Sequence, residues 1–269
     1  MNNTPYPVKS QRLVPYVKHY FALDFSSLPQ ESIELKVPPT GFPVLQFHFG
    51  ENTNFYRHKH FTNQSLFIGQ CNRHIMLYPS RGVKILGVNF KPYGLYNLFG
   101  ISPHGLTNSG VESNFFLGEE NVERISQELK TNEIEKGILE IENLLLANQN
   151  KYVKWQPYFD GLVDKMEAEN GLVNYSDILD KTVSVRTLQR YFKHVIGISP
   201  KLFCQILRHK YIMELLYKNP EMKWSDMQLN GFYYDFSHFT KDFTLFSALT
   251  PKQYLPIKNS FAAALLNMD

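Results

Sequence analysis

The chain carries "SVRTLQRYFKHVIGISPKLF" at residues 184–203 and, at an offset of 51 residues, "DFSHFTKDFTLFSALTPKQY" at residues 235–254. Each copy begins with a residue that favours helix N-caps, Ser184 in the first and Asp235 in the second. Apolar residues follow at three- and four-residue spacing, which predicts a helix with one buried face. Each copy then reaches a Ser-Pro or Thr-Pro pair, and proline is tolerated at the first position of a helix. The pattern therefore predicts one helical unit, present twice.

Each predicted helix has a second, non-buried face. In the first copy this face carries Arg186, Gln189, Arg190 and Lys193. A short candidate helix precedes each copy, at residues 175–179 and 224–227. The unit is therefore predicted to be helix, turn, helix.

The second helix of a helix-turn-helix enters the major groove, where its N-terminal residues reach base edges. Arginine can bind guanine O6 and N7 with two hydrogen bonds, and glutamine can bind adenine N6 and N7 in the same way. Arg186, Gln189 and Arg190 are of these types and lie on one face. The alternative is a polar face that only contacts solvent, as most surface helices have. The duplication and the matched caps favour the DNA-reading interpretation.

The motifs "SVRTLQRYF", "GISPKLF", "RHKYIMELL" and "DFSHFTKDF...LTPKQY" resemble the AraC/XylS family of bacterial transcription regulators over residues 170–256. The resemblance implies two helix-turn-helix subdomains joined by a long helix at residues 200–218. It also implies that two recognition helices enter successive segments of the major groove. The implied DNA-binding residues are Arg186, Gln189, Arg190, Lys193, Phe236, Ser237, His238 and Lys241.

The second copy is expected to read DNA more weakly than the first. Phe236 cannot donate a hydrogen bond, so it is expected either to contact a thymine methyl group or to pack. His238 is expected to contact a phosphate or to support the start of its helix. Compared with the family pattern, this copy has either an extra residue near Gly231 or a shifted glycine. Ala248 also stands where the first copy has Gly197. Alanine at a left-handed helix end costs about 1 kcal/mol relative to glycine.

The first 110 or so residues are predicted to be β-rich. "VLQFHFG", "SLFIGQ" and "KILGVNF" are short aromatic or β-branched runs, and "VPPTGFP" at 37–43 is a turn. Such strands predict a barrel or sandwich, and the lack of interleaved helices disfavours parallel βαβ units. The stretches "VPPTGFPVLQFHFG", "GVNFKPYGLYNLFGI" and "GLTN" resemble the cupin-like sensor domain found in front of such DNA-binding modules. That resemblance implies a small β-barrel followed by helices, which binds an effector or mediates dimerisation.

The middle of the chain is predicted to be helical. Apolar residues with helical spacing indicate two amphipathic helices over about 120–148 and a third that ends near Gly171. The predicted organisation is a cupin-like sensor or dimerisation domain at 1–148, a connecting helix at 149–169, an AraC-type domain at 170–258 and a tail at 259–269. The predicted fold class is α+β, with an N-terminal cupin-like β-barrel and an all-α C-terminal double helix-turn-helix.

Composition restricts the function classes. Residues 1–111 hold ten basic and four acidic residues, residues 112–169 hold six and 13, and residues 170–258 hold 12 and seven. The basic C-terminal part suits nucleic acid. No run approaches the ~20 apolar residues of a membrane span, and no secretory signal is expected at the N-terminus. The two cysteines lie far apart, which fits a reducing cytoplasm and disfavours a disulfide scaffold.

Other candidate sites are weaker. His58 and His60 would share one face of a strand, but no carboxylate and third histidine follow at a spacing that suits a metal, so a polar hairpin face is preferred. His48 is a candidate for the barrel interior. A set of aromatic residues could line a ligand cavity or form plain core, with core preferred: Phe42, Phe47, Phe49, Phe90, Tyr93 and Tyr96. No metal, cofactor or catalytic residue is expected.

The sequence thus predicts a cytoplasmic, sequence-specific transcription regulator rather than an enzyme. Its expected partners are promoter DNA, RNA polymerase, a small-molecule effector and a second copy of the chain, with no membrane partner. The resemblance alone suggests an activator. Two alternatives stay open: a metal-dependent cupin enzyme with an appended DNA-binding module, and a ligand-free dimerisation scaffold.

Overall fold

The structure is a computed structural model that describes residues 3–28, 30–50, 65–131, 133–150, 153, 156–174, 177–219, 221–223, 225–226 and 231–254. Strands occupy the N-terminal part and helices the C-terminal part, so the predicted α+β class is confirmed. Every strand pairing is antiparallel, as expected from the lack of interleaved helices.

In the described part of the chain, the N-terminal sheets contain the strands β1 Asn3–Tyr6, β2 Val17–Asp24, β3 Leu35–Val37, β4 Val44–Gly50, β5 Ser65–Ile68, β6 Ile75–Leu77, β7 Val83–Phe90 and β8 Gly110–Glu112. Six of them pair in the order β1-β2-β7-β4-β5-β8, and β3 pairs with β6. Within the described ranges β1 and β8 are unpaired edges. The antiparallel strands expected for a barrel are therefore present, but within the described residues they form an open six-stranded sheet and a two-stranded one rather than a closed barrel.

Both faces of the large sheet are covered, which explains why β4 is buried almost throughout. Leu45, Phe47 and Phe49 face the main core, which they share with helices. The opposite face packs against β3 and β6 through a second apolar cluster that includes Phe25. His48 is buried and lies 2.8 Å from the amide nitrogen of Gln46. His48 is thus buried, while a closed barrel interior is not present within the described residues.

Four helices and one 3₁₀ turn complete the N-terminal part: α1 Gly94–Phe99, the 3₁₀ turn Pro103–Leu106, α2 Asn114–Leu117, α3 Glu119–Lys130 and α4 Ile134–Ala147. Helices α3 and α4 confirm the two predicted amphipathic helices. Ile125, Leu129 and Ile141 belong to the same core as the sheet. Burying such apolar side chains contributes about 1.5–3 kcal/mol each, which holds α3 and α4 on the sheet.

The helices with described bounds that follow are α5 Pro157–Ala168, α6 Val185–Tyr191 with a π-helical turn Phe192–Ile196, α7 Pro200–Lys218, α8 Phe236–Ser247 and α9 Pro251–Tyr254. Helix α7 has the bounds expected for the joining helix. The short helix expected at 175–179 differs, because residues 177–179 form a turn and 175–176 lie outside the described residues. A single helical turn gains too few hydrogen bonds to offset nucleation. Ile178 and Leu179 still pack on the core of the first unit.

Candidate nucleic-acid interface

The caps predicted for both units are present. The Ser184 hydroxyl accepts from the Thr187 N–H at 3.2 Å, and the Asp235 carboxylate accepts from the His238 N–H at 2.7 Å. Ser199 caps α7 by accepting from Leu202 N–H at 3.2 Å. These bonds satisfy N–H groups that have no partner within the helix, so they fix where each helix starts.

The polar face of α6 is free for a partner. Arg186, Gln189, Arg190 and Lys193 are all exposed, while Leu188 is fully buried. Among the described residues, none of the three cations on this face has an ion pair. The face therefore presents donors that are neither neutralised nor held by the rest of the protein. This is the condition a surface needs to contact phosphates and base edges.

Helix α8 presents a less polar face. Phe236, Ser237, His238 and Lys241 are exposed, and Phe236 is 57% exposed although its ring lies 5.8 Å from that of Phe239. The His238 backbone supports the Asp235 cap, while its side chain points out to solvent. The face thus combines one cation, small polar groups and an apolar ring that can contact a thymine methyl group.

The two recognition segments end in the same backbone conformation but with different residues, glycine in the first and alanine in the second. Gly197 ends the first with φ 95°, and Ala248 ends α8 with φ 58°. Both are left-handed, a region that glycine adopts without the steric penalty that alanine bears. Glycine is favoured at position 197 for a second reason, because a Cβ there would lie 3.1 Å from the Pro103 carbonyl carbon.

Helix α7 ties both units together from the inside. His209 is fully buried, and its Nε2 lies 2.8 Å from the Ser247 hydroxyl at the end of α8. Burial lowers the pKa of His209 to about 3, which keeps the imidazole neutral. Gln205 donates to both carboxylate oxygens of Asp242 at 3.2 and 3.0 Å. These contacts set the orientation of α8 relative to α7, which leads directly from the first unit.

The N-terminal part packs on the end of the first recognition segment. The Ser102 hydroxyl donates to the His194 carbonyl at 2.6 Å, and the Thr107 hydroxyl donates to the Gly197 carbonyl at 3.0 Å. The Tyr96 ring meets the His194 ring edge-on at 4.9 Å. The loop that bears the 3₁₀ turn therefore lies beside the residues predicted to read DNA.

A buried carboxylate links the N-terminal part to α6. Asp160 on α5 accepts from the Tyr191 hydroxyl with one oxygen and from the Asn97 side chain with the other, the latter at 2.7 Å. All three side chains are buried. Burial first, and then the charge of Asp160, raise the pKa of Tyr191 far above its usual value, so Tyr191 stays a donor. One turn along α5, Tyr93 donates to the exposed Asp164 at 2.8 Å.

The second unit also contacts the N-terminal part. The carbonyl of Leu245 on α8 lies 2.9 Å from the His74 side-chain nitrogen and accepts from the His74 N–H at 3.3 Å. The predicted turn at 37–43 lies against α7, where a Cβ on Gly41 would be 3.5 Å from Phe203. Both recognition helices are thus fixed against one N-terminal body.

Two lysines from the two halves of the chain meet at one aromatic ring. The Nζ of Lys18 lies 5.4 Å and that of Lys210 lies 5.5 Å from the centre of the Phe42 ring. Lys18 pairs with Glu167 at 2.7 Å. Burial, and after it the charge of Lys18, lower the pKa of Lys210 to about 8. This contact between the N-terminal part and α7, called the seam below, therefore holds two positive charges that Glu167 compensates only in part.

The aromatic candidates separate into core and seam. Phe47, Phe49 and Phe90 belong to the main core, as preferred. Tyr93 and Tyr96 instead pack with the first helix-turn-helix unit. The sequence motifs carried no signal for Asp160, Lys210 or the loop at 102–107. Their roles come from contacts between residues that are far apart in the chain. In sequence, Asp160 looks like an ordinary polar residue on a helix, and only the structure shows that it is buried.

The metal hypothesis rests on His58 and His60, which lie outside the described residues. Among the residues that are described, no group of three or more histidine, cysteine, aspartate and glutamate side chains is arranged to hold a metal. None of the described helices combines the length and apolar character that a membrane crossing requires.

Comparison with known proteins gives two family matches. Residues 9–112 match a "Domain of unknown function (DUF6597)", and residues 182–256 match a "Helix-turn-helix domain". A search of curated protein sequences found no match.

Solved structures with a similar course of the chain include ToxT from Vibrio cholerae. One, with an unsaturated fatty acid bound, is 10% identical over 90% of this chain and 96% of its own, with a TM-score of 0.43. Another is 9% identical over 88% and 97%, with a TM-score of 0.42. A similarity this low supports no conclusion about ligand or mechanism. The helix-turn-helix match covers both caps, both recognition segments and the joining helix α7. Residues 182–256 of this chain are therefore an AraC-type helix-turn-helix domain, the DNA-binding module of transcription regulators.

Proposed function

We propose that the protein is a sequence-specific transcription regulator that binds promoter DNA with α6 and α8 in successive major-groove segments. One observation carries the proposal: two helices with matched caps each present an exposed face of DNA-contacting residue types, and α7 joins them rigidly. The proposed DNA-binding residues are those of the sequence prediction: Arg186, Gln189, Arg190, Lys193, Phe236, Ser237, His238 and Lys241.

The first helix is the stronger reader in this proposal. It supplies two arginines and a glutamine, each able to make two hydrogen bonds to one base, whereas α8 supplies one lysine and an aromatic ring. Arg190→Ala should weaken binding to the specific site by roughly 1–3 kcal/mol and relax base preference at one position. Fluorescence anisotropy titrations with the specific site and single-base variants measure this. Unchanged affinity with unchanged base preference would remove Arg190 from the reading set.

Phe236→Ala is the matched comparison on α8. It removes an apolar contact and no hydrogen bond, so its effect should be smaller and confined to a thymine-containing position.

The same proposal makes the N-terminal part, residues 1–148, an effector-sensing domain, with 149–169 as connector and 170–258 as the reader. The lysine pair at Phe42 supports an acidic effector, because an anion there would reduce the repulsion between Lys18 and Lys210. Such an anion would compete with Glu167 for Lys18. Thermal shift of the full chain with a panel of small and long-chain carboxylates tests this, with Lys210→Met as the variant that should lose the shift.

The AraC-type assignment further supports a cytoplasmic location and action at promoters together with RNA polymerase, as an activator. A homodimer is part of the proposal, and sedimentation of the full chain with and without DNA tests it. The assignment favours regulation over the enzyme alternative, because the matched C-terminal module is of a DNA-binding type.

A further inference from the structure

A cleft of about 420 Å³ opens between α6 and the loop that carries the 3₁₀ turn. Its recognition-helix side is lined by Thr187, Arg190 and Lys193, and its opposite side by Ser102 and His104 of the N-terminal part. Two of these residues, Arg190 and Lys193, are predicted DNA contacts. The cleft is therefore a continuation of the DNA-binding face, with one wall supplied by a different part of the chain.

The N-terminal wall of this cleft is held in place on both sides of His104. Ser102 bonds to the His194 carbonyl at 2.6 Å on one side, and Thr107 bonds to the Gly197 carbonyl at 3.0 Å on the other. Pro103 between them is buried against Gly197. His104 itself is exposed. The arrangement holds the His104 backbone beside α6 and leaves its imidazole exposed.

The charge of the cleft has one sign. Arg190 and Lys193 are joined there by the imidazoles of His104 and His194, and none of the described lining residues is acidic. Within the described part of the chain, Arg190 and Lys193 form no ion pair. Uncompensated cations and N–H donors facing one gap suit a phosphate group, the commonest protein contact on DNA.

We propose that this cleft binds a backbone phosphate of the DNA through Lys193 and His104, so that the N-terminal part contributes His104 to the DNA interface while Arg190 keeps its proposed role as a base reader. The inference rests on the proposed function, since it needs α6 to lie in the major groove. Residues beside a recognition helix in the groove face the phosphates that flank it. A backbone contact of this kind sets position and affinity but not base preference.

Charge variants at His104 test the proposal in the full chain. His104→Lys should tighten binding, and His104→Glu should weaken it, each by about three- to tenfold near 0.1 M salt and equally for all sequences. His104→Lys should also steepen the plot of log K against log salt by about one unit. Gln127→Lys and Gln127→Glu on α3 are matched controls, because Gln127 is exposed and the substitutions change the net charge by the same amount.

The outcomes distinguish failure of this proposal from failure of the proposed function on which it rests. If His104 variants change affinity and salt slope while Gln127 variants do not, the N-terminal part contacts the backbone. If both sets behave alike while Arg190→Ala still loses affinity, α6 binds DNA but the cleft does not, and the proposal is overturned. The same holds if the effect of His104 depends on base sequence. If Arg190→Ala is also without effect, the DNA-binding face itself is misassigned.

Discussion

At the scale of single residues, Ala248 departs from the pattern set by Gly197. Both end a recognition segment with positive φ, but only glycine adopts that region without steric cost. Ala248→Gly should therefore raise the free energy of unfolding by up to about 1 kcal/mol, partly offset by the greater freedom of glycine in the unfolded chain. Urea denaturation followed by circular dichroism measures the change. Ala248→Ser keeps a Cβ and should give no such gain.

Lys210 is the second residue with a measurable consequence. Its pKa is lowered to about 8 from an ordinary 10.5, because burial and Lys18 disfavour its charged form. Between these pH values the unfolded chain binds more protons than the folded one, so this group adds stability as the pH rises through that window. At pH 7 Lys210→Met should stabilise the fold by about 1–3 kcal/mol.

The pH dependence of that gain is the decisive part of the Lys210 test. The extra free energy of unfolding of Lys210→Met relative to the wild type should shrink as the pH rises from about 8 towards 10, where the wild-type lysine loses its proton. Parallel denaturation curves across this range give the difference. If the difference in the free energy of unfolding stays constant with pH, the charged form of Lys210 does not destabilise the folded protein.

Prediction from sequence succeeded for residues whose role is local. Ser184 and Asp235 cap their helices as predicted, because a cap bonds to an N–H three residues away. The exposed face of α6 follows from spacing alone. Lys210 and Asp160 could not be predicted, since their environment is set by side chains that a helical pattern does not bring together.

At the scale of elements, α5 connects the two halves through Asp160. Its carboxylate accepts hydrogen bonds from Tyr191 of α6 on one side and from Asn97 of α1 on the other. Asp160→Asn removes the charge and places an amide N–H₂ against one of these donors. It should destabilise the full chain by about 1–3 kcal/mol.

Asp164→Asn is the control for the Asp160 substitution, because Asp164 lies one turn along α5, is exposed and, among the described residues, accepts a hydrogen bond only from Tyr93. Its cost should be clearly smaller, since an exposed group can bond to water. Thermal denaturation of both variants gives the comparison. Equal costs would show that the Asp160 link contributes no more than a surface contact.

The elements themselves were predicted where their hydrophobic period was long. Helices α3, α4 and α7 agree with the expected ranges, and the strands around β4, β5 and β7 lie where the aromatic runs placed them. The helix expected at 175–179 was wrong for 177–179, because a segment this short is held by tertiary packing rather than by its own pattern. Closure of the barrel depends on edge pairing, which periodicity does not encode.

At the scale of the whole molecule, one N-terminal body contacts both helix-turn-helix units. The loop at 102–107 holds the end of the first recognition segment, and His74 holds the end of α8 through Leu245. An effector that shifts the N-terminal body would change the spacing of the two recognition helices, α6 and α8. A ligand can shift such an equilibrium only by its difference in affinity for the two arrangements. The lysine pair at Phe42 lies on this seam and is therefore placed to supply that difference.

Selection of bound duplexes from a random DNA pool with the full chain tests the central claim most directly. Two recognition helices on one rigid support predict two enriched segments about 10 base pairs apart, one helical turn of DNA. The segment with stronger base preference should contain guanine or adenine positions suited to Arg186, Gln189 and Arg190. A pool that shows no enriched sequence, or one enriched segment without a second at that spacing, would contradict two-helix reading of DNA.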